Sequence, residues 1–204
     1  MSLLLTGLLV VSGVMAGRWL SKRTRHRIEL PVGRDDENAM KNEEALDPFE
    51  QFPCRLGDAV MVFGGEEAWL AGALVFSEDS PSLVLFIAPD AGADRALLVR
   101  PRPTGEIVWL LPVDASDLVG MSGNAEPPSS LEHEGERYER LRRLPLRVER
   151  HGTGVPDLGK EVILVEYKTL SGGRFLVIAG SAGVHAWQGT ALAPGMYDVL
   201  ASEK

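Results

Sequence analysis

The chain has 204 residues, of which 45% are hydrophobic and 25% charged, and its formal net charge is −8. That length holds one domain, or two small ones, beside an anchor, and the composition excludes collagen-like, coiled-coil and wholly disordered chains. The negative charge argues against general nucleic-acid binding, which needs a positive field against phosphate. The single cysteine, Cys54, excludes a disulfide framework and a cysteine-rich zinc site.

Residues 1–17 carry no charged side chain, and Leu3, Leu4, Leu5, Leu8, Leu9, Val10, Val11 and Val14 make them strongly apolar. With Trp19 and Leu20 the run reaches roughly 20 residues, the length of a helix that crosses a hydrocarbon core of about 30 Å. Residues 1–20 are therefore expected to form one transmembrane anchor. Arg18, Lys22, Arg23, Arg25 and Arg27 follow at once. Under the positive-inside rule they place the C-terminal domain of this single-pass protein on the cytoplasmic side of the cell membrane. One alternative is an export signal cleaved near Val14-Met15-Ala16, but it lacks a basic leading region and the basic cluster behind it resists export. A buried core helix is the other.

Residues 21–50 combine this basic juxtamembrane segment with an acidic linker. Asp35, Asp36, Glu37, Glu43, Glu44, Asp47 and Glu50 stand there against Arg34 and Lys41. So few large apolar groups cannot bury enough surface to fold alone, so the linker reads as a solvated tether.

Residues 51–204 read as a mainly β domain, an antiparallel barrel or sandwich. Short apolar runs broken by Gly, Pro, Asp and Ser predict strands at 58–63, 68–76, 83–88, 96–100, 107–111, 137–142, 146–149, 162–167, 174–179, 184–187 and 196–200. The Gly-, Pro- and Ser-rich stretch 120–130 divides the domain into halves, 52–119 and 130–200. The halves read as two pseudo-repeated β units. Leu83–Phe86 matches Ile163–Glu166, Arg95–Val99 matches Arg174–Ile178, and Val108-Trp109 matches Ala186-Trp187, at offsets of about 80, 79 and 78. The other reading is that two β meanders look alike by chance. Duplication predicts that Trp109 and Trp187 occupy matching places.

Arg55-Leu56-Gly57-Asp58-Ala59-Val60, Gly64-Gly65 and Leu70-Ala71-Gly72 open the domain, with Gly135-Glu136-Arg137-Tyr138, Glu166-Tyr167 and Ala186-Trp187 further on. In these short motifs the chain resembles the bacterial family called domain of unknown function 4178, over about residues 52–200. A Trp-Leu pair that the family carries after its third strand stands here later, as Trp109-Leu110. The resemblance implies a β domain and carries over no catalytic residue.

Gly154-Val155-Pro156-Asp157-Leu158-Gly159-Lys160 has the spacing of a phosphate-binding loop. Glu161 stands where a magnesium-binding hydroxyl belongs, and a β-rich run follows where a helix N-terminus is required, so the segment reads as a long hairpin loop. His26, His133, His151 and His185 show no ligand spacing, and Asp58 suits the tying of its own turn. No catalytic residue, metal site or cofactor site is assigned. The candidate binding residues are Arg137, Arg140, Arg142, Arg143 and Arg147, which with Arg150 crowd one segment of an acidic domain. Arg140 and Arg142, alternating with Leu141, are expected on one strand face, where they could grip headgroups, an acidic segment or RNA. Pairing with nearby glutamates is the plainer reading.

These readings lead to a membrane-anchored, non-enzymatic binding or scaffolding domain with a protein partner. An enzyme of hydrolase type with scattered catalytic residues, and an envelope-side structural protein, are the alternatives.

Overall fold

Side chains alternate across a β-strand, so a strand whose two faces are both buried reads as an unbroken apolar run. The computed structural model describes residues 47–89, 94–114 and 127–202, and its regular structure there is all strand. In chain order the strands are β1 (Ala59–Val62), β2 (Glu66–Trp69), β3 (Gly72–Ser77), β4 (Pro81–Ala88), β5 (Arg95–Val99) and β6 (Ile107–Val113). There follow β7 (Ser130–His133), β8 (Glu136–Gly152), β9 (Glu161–Lys168), β10 (Gly173–Gly180), β11 (Gly183–Leu192) and β12 (Tyr197–Leu200).

Eight of these strands form a closed antiparallel barrel in the order β3-β4-β5-β6-β11-β10-β9-β8, with β8 pairing back onto β3. The expected barrel or sandwich is thus a barrel. Inward side chains from every strand meet in one core, among them Leu74, Leu85, Leu98, Val108, Leu146, Leu164, Leu176 and Trp187. Eight strands leave an interior just wide enough for side chains to fill. The outer faces of β3–β6 are also buried, beneath Phe49, Phe52 and a three-stranded sheet of order β12-β1-β2. Those of β9–β11 lie beneath Leu131 and Tyr138 of the β7–β8 hairpin.

One end of the barrel interior is plugged by the loop between β8 and β9, the segment with phosphate-loop spacing. Its Val155 and Leu158 are buried in the core. Two inward glycines make room for it. A Cβ on Gly72 would lie 2.1 Å from the Thr153 carbonyl oxygen, and one on Gly180 would lie 2.0 Å from that of Leu158.

Several expectations need correction. The predicted strand 68–76 is two strands, because the chain leaves the small sheet after Trp69 and enters the barrel at Gly72. The predicted strands 137–142 and 146–149 are one, β8, which runs through Pro145. At Pro145 β8 pairs only with β9, since its ladder with β3 begins at Arg147, so a missing N–H is tolerated there. Asp47 and Glu50, read as linker, lie in a turn that seats Phe49 and Phe52 in the core. Trp109 and Trp187 do sit on the last strands of two four-stranded meanders, β3–β6 and β8–β11. However, Trp187 points into the barrel and Trp109 points out of it. The other matched blocks are also out of step, since Leu83 and Leu85 face inward where Ile163 and Val165 face outward.

Among the described residues no helix is long and apolar enough to cross a membrane. The expected anchor 1–20 and the linker up to residue 46 lie outside them.

Candidate functional site

The five candidate arginines all lie on β8, and a bulge decides where each one points. The register with β9 shifts between Arg140 and Arg142, so Leu141 is the extra residue, Arg140 opposes Tyr167 and Arg142 opposes Glu166. Tyr167 belongs to the outer core while Val162 and Leu164, in step with Glu166, line the interior. Arg140 and Arg142, expected on one face, therefore look opposite ways, because one inserted residue reverses the facing of all that follows.

Arg142 enters the barrel, where its Nε donates to Glu166 Oε1 at 2.6 Å. Arg100 Nη2 donates to the other oxygen of Glu166 at 2.7 Å, and Arg100 Nε donates to Glu106 Oε2 at 2.7 Å. Arg174 Nη2 donates to Glu106 Oε1 at 2.8 Å. Three guanidiniums and two carboxylates thus fill the barrel end opposite the loop plug. Glu166 is buried, and burial pushes its carboxyl above the usual range while Arg100 and Arg174 pull it down. The sequence singles out Arg142 and Glu166 separately, but no motif joins them to one another or to Arg100, Glu106 and Arg174. The layer's signal was charge at inward positions of apolar strands: Glu166 two residues after Leu164, Arg174 two before Leu176 and Arg100 two after Leu98.

The other candidate arginines face outward or lie at the rim. Arg137 Nε donates to Glu139 at 2.8 Å, and both side chains are well exposed. Arg140 is half-buried and its Nη1 donates to the Pro127 carbonyl at 2.9 Å. Arg143 and Arg147 are exposed on the barrel's outer face, with Arg147 opposite Glu161. Beside Arg137 and Arg140 the rim forms a shallow groove that also includes Leu141, Lys168, Thr169 and Leu170, with Glu139 as its one carboxylate against three cations. The bulge leaves Leu141 exposed, and the β9–β10 turn, tied by Gly173 N donating to Thr169 Oγ1 at 2.8 Å, holds Leu170 out in solvent. The surface is therefore basic with two projecting leucines.

The remaining reactive groups are in structural positions. Cys54 is fully buried, and burial, followed by the nearby Asp58 charge, pushes its thiol up to about 12, which leaves no thiolate at neutral pH. Asp58 accepts from Arg55 N at 2.7 Å and from Ser202 N at 3.1 Å, tying its turn to the C-terminal end of the domain. His133 and His151 pack edge-on against Phe175 and Phe49, and His185 stacks on Trp187. Among the described residues no group of three His, Cys, Asp or Glu is placed to hold a metal ion.

No family model, curated protein or solved structure matches the chain.

Proposed function

We propose that this protein is a membrane-anchored binding or scaffolding domain that works through its outer surface rather than through a pocket inside the barrel. The observation that carries this reading is the filling of the interior: apolar side chains and a loop plug occupy one part and the Arg–Glu layer the other. Among the described residues β8 presents a basic outer surface: Arg143 and Arg147 are exposed on the barrel wall, and Arg137 lies with Glu139, Lys168, Leu141 and Leu170 at the rim groove. Such a surface suits an acidic protein partner, with the leucines supplying apolar contact. The uncharged run before Arg18 and the basic cluster after it support a single-pass anchor with the domain in the cytoplasm. Anchoring raises the effective concentration of domain and partner at one surface, so weak contacts suffice. The like strand order of the two meanders supports a duplicated origin, in a register one residue away from the sequence matches.

The test combines topology with charge reversal. A reporter that is active only after export, fused at Lys204, is expected to stay silent. Arg143→Glu with Arg147→Glu is expected to release co-purifying partners while changing stability by no more than about 0.5 kcal/mol, as for exposed sites generally. A strong export signal overturns the topology, and full retention of every partner removes this surface from the proposal.

A further inference from the structure

The small sheet β12-β1-β2 buries one face and leaves the other bare. Val60, Val62, Ala68, Tyr197 and Val199 pack inward on the barrel. Residues directly opposite each other in antiparallel strands share a face, so the register lays out the other side row by row. Leu200, Ala59 and Trp69 form the first row, and Asp198, Met61 and Glu67 the second. Phe63 and Met196 form the third, where Phe63 N donates to the Met196 carbonyl at 3.0 Å. Met61, Phe63, Trp69, Met196 and Leu200 are all exposed, Phe63 at 64% and Trp69 at 61%, which gathers on one small sheet most of the large exposed apolar side chains among the described residues. Apolar exposure concentrated in this way marks an interaction surface, whereas scattered single residues do not.

Charge selects the occupant. The three strands read AVMV, EEAW and YDVL, with no lysine or arginine. Glu67 and Asp198 flank Met61 from either side, their backbones two strand spacings or about 9–10 Å apart. Sinking this face into lipid would carry two carboxylates toward hydrocarbon, and pairing it with a second copy would double the carboxylates in the contact. We propose that this face docks a cationic segment of a partner protein, one that sets lysine or arginine between apolar side chains, with the cations meeting Glu67 and Asp198 and the apolar groups lying on Phe63, Met61 and Trp69. This surface is separate from the basic one on β8 and takes a partner of opposite charge.

The experiment uses the full chain carrying Trp19→Phe, so that emission from the exposed Trp69 stands out from the buried Trp109 and Trp187. A synthetic peptide alternating Lys with Val is titrated against it, beside one alternating Glu with Val. The Lys peptide is expected to shift the emission to the blue and to saturate, and the Glu peptide to do neither. Phe63→Ser is expected to weaken binding by at least about tenfold, and Glu67→Lys with Asp198→Lys to abolish it, both at an unchanged unfolding midpoint. Should Phe63→Ser unfold the domain, the charge-reversed variant decides alone. Equal binding of both peptides, or of neither, overturns the proposal. So does quenching of Trp69 by phosphatidylcholine vesicles with brominated acyl chains, which would make the face a lipid contact. Concentration-dependent self-association that Phe63→Ser removes would assign it to a second copy and overturn it equally.

Discussion

The two ends of the barrel interior are filled by opposite means. At one end Val155 and Leu158 complete an apolar core, and Gly72 and Gly180 give the plugging loop its space. At the other, Arg100, Arg142 and Arg174 converge on Glu106 and Glu166. The apolar end gains from every methylene removed from water. The charged end must first overcome the desolvation of five ions, and its worth lies in geometry that makes the loss of one partner costly. The first end therefore contributes stability in small increments, while the second acts as a set whose members depend on one another.

The largest expected effect breaks the charged end. Glu166→Ala leaves Arg100 and Arg142 facing each other without their shared carboxylate and should destabilise the domain by about 3–5 kcal/mol, read from denaturant unfolding. A loss below about 1 kcal/mol would show that water or side-chain rearrangement compensates and that the layer is not a set. Because Arg142 belongs to this layer, any charge reversal that includes it tests folding, which is why Arg143 and Arg147 are the residues for testing binding.

Next comes the apolar end. Leu158→Ala should cost about 2–4 kcal/mol, the transfer term plus the cavity it leaves, and should do so independently of salt.

The smallest effect concerns pH. Burial lowers the proton affinity of His185 below its ordinary value of 6.5. The unfolded chain then binds more protons than the folded one just below that pH. The contribution to stability is therefore complete above the ordinary histidine range and declines as pH falls through it. His185→Gln should flatten that part of a stability–pH curve, and an unchanged slope would show that His185 does not carry it.

Strand positions were largely legible because short apolar runs between turn residues need no partner to be recognised. Closure was not, because it depends on Gly72–Ser77 meeting Arg147–Gly152, residues far apart in the chain. Ser130–His133 went unread as a strand for a related reason: four residues with one buried side chain, Leu131, carry almost no periodicity of their own.

The arginine cluster shows the same division in one strand. Composition alone marked β8 as basic in an acidic chain, and alternation predicted that its arginines share faces. The bulge at Leu141 overruled that, since the extra residue is set by the register with Tyr167 and Glu166 and leaves no mark on β8 itself. Hydrophobicity, charge and turn chemistry act locally, so the bare string of residues was enough for a mainly β domain, an apolar N-terminal run with a basic cluster behind it, and a tied-down Asp58 turn. It took the folded molecule to establish that the sheet closes, that Arg142 faces inward to Glu166 while Arg143 faces solvent, and that Met61, Phe63 and Trp69 share a bare face. Each of these depends on which strand lies beside which, and in what register.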